Sequence, residues 1–177
     1  MNITVYCGSR TGTDPAFAEK AEALGRWIAG HGHGMVYGGG NIGLMEVVAD
    51  TVLKNGGHVT GVIPEFLLEH EIGHEGLHTL EIVKDMPERK RRMIELGDAF
   101  IAMPGGTGTL EEISEVISMQ KLDLHEKEKP CVFFNVNGFY EPLREMLRRM
   151  AGEGFITQGD FERIFFIDRP EDLEKIL

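Results

Sequence analysis

Three glycine-rich stretches carry the residues best suited to chemistry in this 177-residue chain. They are Cys7-Gly8-Ser9-Arg10-Thr11-Gly12, Tyr37-Gly38-Gly39-Gly40-Asn41-Ile42-Gly43 and Pro104-Gly105-Gly106-Thr107-Gly108-Thr109, the last running on into Leu110-Glu111-Glu112. Glycine lets backbone approach an anion closely, and a helix opening on such a loop offers unpaired N–H groups and the positive end of its dipole. A tight turn explains any one of these loops. Three together point to a phosphate site, and Gly supplies 23 residues, roughly twice its usual share. Gly38, Gly40 and Gly43 also satisfy the G-x-G-x-x-G dinucleotide fingerprint. Its usual acidic companion is missing, because the next strand ends Gly61-Val62-Ile63-Pro64-Glu65, and the fingerprint follows the second strand rather than the first. A nicotinamide-dependent oxidoreductase is thus a secondary reading, beside a nucleotide-binding protein without catalysis. No Gly-Lys-Ser/Thr follows any glycine loop, which argues against a P-loop NTPase.

Charged residues near these loops have two readings each. Glu111 and Glu112 either complement a helix dipole or act on a ligand held at the helix start. Glu88-Arg89-Lys90-Arg91-Arg92, the densest basic run in an acidic chain, is either a solvated helix start or an anion partner. Ser9 either bonds a ligand or caps a turn. His70-Glu71-Ile72-Gly73-His74 fits the zinc pattern H-E-x-x-H, which works only on a helix. Gly73 and Gly76 each oppose a helix by ~1 kcal/mol. A polar, histidine-bearing loop without metal is therefore expected.

The elements that must position these residues alternate along the chain. Runs at Ile3–Cys7, Gly34–Tyr37, His58–Ile63, Thr79–Val83, Ala99–Met103, Cys131–Val136 and Ile164–Ile167 read as strands, and most are continuously apolar, as in strands covered on both faces. Helical stripes lie between them: Phe17, Ala21, Leu24 and Ile28; Leu44, Val47, Val48 and Val52; Leu110, Ile113, Val116 and Ile117; Phe139, Leu143, Leu147 and Met150. Asp14-Pro15 supplies an N-cap and a first-turn proline. The expectation is one α/β domain over 1–177, a Rossmann-like three-layer fold with a parallel sheet of about seven strands and helices on both faces. Ligands of such sheets sit beyond the carboxyl ends of the strands at the switch point, where these loops fall. The net charge of −11 argues against nucleic acid. No apolar run is long enough for a membrane span, no signal peptide is read, and two cysteines in apolar runs, Cys7 and Cys131, suggest a reducing cytoplasm.

The third loop resembles the PGGxGTxxE motif of the Lonely Guy (LOG) family of phosphoribohydrolases. Glu88-Arg89-Lys90 with Met93 is similar to that family's E-R-K-x-x-M segment, and Tyr37-Gly38-Gly39-Gly40 with Gly43-Leu44-Met45 to its Y-G-G-G-x-x-G-L-M loop. Gly61–Pro64 and Asn135–Tyr140 extend the resemblance over nearly the whole chain. Departures are Pro87 where a His is usual, Glu46 where Gly is common, Met119-Gln120-Lys121-Leu122 in place of W-x-Q-L, and a longer His125–Pro130 loop. Pro87 and the Met119–Leu122 stretch bear on the base pocket. Similar sequences have carried the label lysine decarboxylase, yet no pyridoxal-lysine signature is present. The resemblance implies cleavage of the N-glycosidic bond of an adenine-type nucleoside 5′-monophosphate, a cytokinin nucleotide or AMP, without a cofactor. It implies Arg89 and Glu112 as catalytic residues. Ser9, Gly39, Gly40, Glu71, Arg89, Lys90, Gly105, Gly106, Thr107, Gly108, Thr109 and Glu111 are implied to contact substrate. A homodimer pairing through helices over 89–96 and 110–119 is implied as well.

Overall fold

All seven expected strands form, and all pair in parallel. The computed structural model describes residues 1–68, 73–121 and 129–177, with the backbone alone at 121. Glu71, His70, Leu122 and most of the 125–130 loop lie outside the described residues. The strands are Asn2–Tyr6 (β1), Gly34–Tyr37 (β2), Val59–Pro64 (β3), Thr79–Val83 (β4), Ala99–Ala102 (β5), Cys131–Phe134 (β6) and Ile164–Ile167 (β7). Their order across the sheet is β4-β3-β2-β1-β5-β6-β7. Chain order therefore reverses between β1 and β5, and the first and third glycine loops leave these two adjacent strands.

Alternation along the strands divides the core in two. Ile3, Val5, Met35, Tyr37, Ile101 and Phe134 face helices Ala16–Gly30 (α1) and Gly43–Lys54 (α2). Tyr6, Val36, Val62, Phe100, Ala102 and Phe133 face Met86–Leu96 (α4), Thr107–Lys121 (α5) and Glu141–Gly152 (α6). A short helix, Glu65–Leu68 (α3), follows β3, and another, Gln158–Glu162 (α7), precedes β7. The Asp14 carboxylate accepts the Ala16 N–H at 2.9 Å, which is the expected cap of α1. Two expectations shift. Cys131–Val136 is strand only to Phe134, because Asn137 turns to φ 50° within a single 3-10 turn. Phe139 was expected on a helical face, but it precedes α6 and is 42% exposed.

Candidate active site

The loop after β1 sits between the other two and bonds to both. The Gly8 N–H donates to the Pro104 carbonyl at 3.1 Å, and the Gly8 carbonyl accepts the Leu44 N–H at 3.1 Å. Glycine is required where the loops touch. Gly43 has φ +62°, and a Cβ there would lie 2.3 Å from the Ser9 carbonyl carbon. A Cβ on Gly105 would meet Thr109 Oγ1 at 2.2 Å and the Gly8 nitrogen at 2.9 Å. This packing separates the roles of the two helix starts. The Leu44 N–H of α2 is already taken by Gly8. At α5 the first turn closes with Leu110 N–H to the Gly106 carbonyl at 3.2 Å. The earlier N–H groups, those of Thr107, Gly108 and Thr109, have no intrahelical acceptor, as at any helix start. Thr107 and Gly108 are exposed. The third loop is therefore the candidate anion cradle. Of the three fingerprint glycines of the second, Gly38 packs against Arg89 and Gly43 against Ser9, while Gly40 pairs with Gly73. A phosphate at this loop, on which the oxidoreductase reading rested, would lack the Leu44 N–H.

Beside the cradle lies a cleft of about 320 Å3 lined by Ser9, Met45, Met86, Arg89, Gly106–Thr109, Glu111 and Glu112. Arg89 reaches it from the first turns of α4, where Asp85 caps the helix by accepting the Glu88 N–H at 2.9 Å. Of the basic run, Arg89 alone is buried. Its Nε donates to the Val62 carbonyl at 3.1 Å and its Nη2 to the Gly38 carbonyl at 3.0 Å. Nη1 faces Glu112 Oε1 at 3.9 Å. The guanidinium thus offers the cleft one edge rather than a fork reaching base and phosphate together. The other cations of the run are committed elsewhere. Lys90 pairs with Glu111 and, at 2.9 Å, with Glu115, while Arg92 pairs with Glu81 at 2.6 Å.

Glu112 is 13% exposed, and burial pushes its carboxyl up to about 7, against the pull of Arg89. A carboxyl titrating there can hold or release a proton at neutral pH, as general acid–base work requires. Neighbouring Glu111 also lines the cleft but is exposed and tied to Lys90. Cys7, Met45 and Met86 also line the cleft and were not anticipated as site residues. Cys7 was legible as the residue between β1 and its glycine. Burial and Glu112 raise its thiol pKa, so it stays protonated and is no nucleophile.

A second cleft of about 410 Å3 lies across Gly8 and Gly105, walled by Phe17, Leu44 and Phe139. Phe17 and Phe139 meet edge to face at 5.8 Å. Gly39 and Gly40 line neither cleft. Gly39 packs on β3, and Gly40 pairs antiparallel with Gly73. That pairing makes Gly73 extended, so the H-E-x-x-H segment lacks a helix at that point. His74 is buried and bonded to Asp50 at 2.9 Å.

A family model described as "Possible lysine decarboxylase" matches residues 45–177. The cytokinin riboside 5′-monophosphate phosphoribohydrolase of Rhodococcoides fascians is 46% identical over 164 residues, covering 92% of this chain and 82% of its own. The corresponding LOG protein of Oryza sativa subsp. japonica is 43% identical over 175 residues, covering 99% and 71%. The chain belongs to the LOG family. Membership agrees with the Pro104–Glu112 motif and its neighbours. The decarboxylase wording in the family description finds no support at the site: among the described residues no lysine lines the cleft, and Lys90 beside it is tied up by two carboxylates. Solved structures show the same fold as this LOG-family chain. A molybdenum cofactor binding protein from Rippkaea orientalis superposes with TM-score 0.74 at 21% identity, covering 99% and 93% of the two chains. A molybdenum cofactor carrier protein from Chlamydomonas reinhardtii gives 0.75 at 17%, covering 99% and 94%.

Proposed function

We propose that this phosphoribohydrolase hydrolyses the N-glycosidic bond of an adenine-type nucleoside 5′-monophosphate, AMP or its N6-prenylated form, releasing free base and ribose 5-phosphate. The observation that carries the reading is the buried Glu112 carboxyl, titrating at about 7 and facing Arg89, on the helix whose start forms the anion cradle. Five residues separate Thr107 from Glu112, ~7.5 Å along the helix axis. That is comparable with the reach from a 5′-phosphate to C1′ of the same nucleotide. The phosphate sits on the N–H groups of Gly106–Thr109, with Ser9 opposite. As the C1′–N9 bond breaks, its electron pair leaves with the base and C1′ gains positive charge. Ionised Glu112 stabilises that cation and takes a proton from water as the hydroxyl adds to C1′. Arg89 Nη1 supplies a donor toward charge on the departing base, and the proton that Glu112 took from water passes to that base, so it leaves neutral and Glu112 is ionised again.

The reading carries a homodimer and a cytoplasmic setting. Leu110, Phe139 and Met146 expose apolar surface around α5 and α6, which supports pairing there. The outer face of α4 instead carries the Arg91–Glu95 and Arg92–Glu81 pairs. Cys7 and Cys131 are free and buried, in keeping with a reducing compartment. Incubation with AMP and with N6-prenyl-AMP, followed by chromatography, tests the function. Free base and ribose 5-phosphate in equal amounts support it. Intact nucleotide that nevertheless binds favours a non-catalytic module.

A further inference from the structure

The second histidine of the H-E-x-x-H segment is built into the protein in a way a loop residue need not be. His74 is buried, and its backbone N–H donates to the Gly39 carbonyl at 3.1 Å. Its imidazole Nδ1 accepts the Gly76 N–H at 3.1 Å, which places the proton on Nε2, and Nε2 donates to Asp50 Oδ1 at 2.9 Å. Asp50 lies on α2 and also pairs with Lys54 at 2.7 Å. One residue earlier, Gly73 pairs with Gly40. The Gly38–Gly40 turn, with Gly39 at φ +75°, is therefore clamped between β3 on one side and the Gly73-His74 segment on the other. The clamp adjoins the Gly38 carbonyl that holds Arg89 Nη2, and that bond leaves Nη1 facing Glu112.

We infer that His74 is a positioning residue of the active site: anchored on Asp50, it fixes the Gly38–Gly40 turn and through Gly38 aims the Arg89 guanidinium at Glu112. The catalytic meaning of that aim rests on the function proposed above; the aim itself does not. Lengthening the Gly38–Arg89 bond lets the guanidinium swing away from a buried carboxyl. A misplacement of about 1 Å remote from the chemistry can lower a rate on the order of a hundredfold.

Among the described residues, the charges around Glu112 are Arg89 and Lys90, which favour its ionised form, and Glu111 and Glu115, which oppose it. Losing the aim of Arg89 therefore moves the Glu112 titration upward, by about one unit for an opposite charge at this range. The test follows the Glu112 carboxyl by carbon NMR, with Glu112→Gln assigning the resonance, in wild type, His74→Ala and His74→Gln. Base release from AMP is measured alongside. A Gln amide reproduces the Nε2 donor to Asp50. Expected are an upward Glu112 titration and a tenfold to hundredfold lower kcat in His74→Ala, with KM within about threefold because the α5 cradle is untouched. His74→Gln should restore most of both. If His74→Ala does not fold, Asp50→Ala breaks the same bond from a half-exposed helix position and should move the titration equally. An unmoved Glu112 titration in either folded variant overturns the inference. A moved titration in a protein that never releases base upholds the positioning role and rejects the proposed function.

Discussion

Replacing Glu112 with Gln removes a charge that the fold holds at a cost to its own stability. The Glu112 carboxyl rises from 4.5 to about 7 on folding, chiefly through burial. The folded state therefore binds this proton more tightly than the unfolded chain does. The stabilisation from that proton is complete below about pH 4.5 and is lost as pH rises through 7. At ~1.36 kcal/mol per unit, the full loss is about 3 kcal/mol, most of it falling between pH 5 and pH 8. Gln keeps the size of the side chain and has no proton to lose. Any fixed effect, such as leaving Arg89 without its counter-charge, is the same at both pH values and cancels in the comparison. Urea unfolding of both proteins at pH 5 and pH 8 should show Glu112→Gln gaining about 2–3 kcal/mol on wild type between them. In melting temperature that is about 5–10 °C for a chain of this size. The same variant should lose about 10²–10⁴-fold in kcat with little change in KM. A stability difference that is equal at the two pH values, or that reverses, refutes the burial argument. Full activity in the variant refutes the role of the carboxylate.

Gly38→Ala should cripple catalysis at some cost in stability. Its Cβ would lie 1.9 Å from Arg89 Nη2, a side-chain end rather than backbone, so the guanidinium must leave its bonds to the Gly38 and Val62 carbonyls; base release should fall at least about tenfold, with urea unfolding showing a loss of about 1.5–3 kcal/mol per charged hydrogen bond broken. Gly43→Ala meets the Ser9 backbone at 2.3 Å in a left-handed conformation, and should cost at least about 2 kcal/mol in urea unfolding. Glu111→Gln alters only an exposed residue tied to Lys90, so its kcat/KM should stay within about threefold of wild type, surface ion pairs being weak.

Most of the sheet was legible because its inner strands are buried on both faces and appear as apolar runs, whereas the edge strand β4 is half exposed, with Ile82 60% exposed. The strand ends then pointed to the site without further information. What composition and periodicity could not separate was the job of each glycine loop. The Tyr37–Gly43 loop has the better dinucleotide fingerprint, yet Gly8 already takes the Leu44 N–H, and a hydrogen bond between residues 36 positions apart leaves no mark in a local pattern. The basic run hid its one inward member for a similar reason. Arg89 differs from Arg91 and Arg92 only by helical phase and by the carbonyls of Val62 and Gly38 that receive it. Glu112 beside Glu111 presents the same problem: burial alone distinguishes them, and only the family motif singled one out beforehand. The apolar cleft at Phe17 and Phe139 was masked because both residues were counted into helical stripes.

The most direct measurement of the central claim compares kcat/KM for a nucleoside 5′-monophosphate with that for the same nucleoside lacking the phosphate. Hydrogen bonds to a charged group contribute about 1.5–3 kcal/mol each, so losing two from the α5 cradle should lower kcat/KM about a hundredfold or more. Release of free base from the monophosphate, slowed to that extent in the nucleoside, is the predicted result. Equal rates on the two substrates would contradict the placement of the phosphate at Gly106–Thr109, and with it the alignment of C1′ beside Glu112.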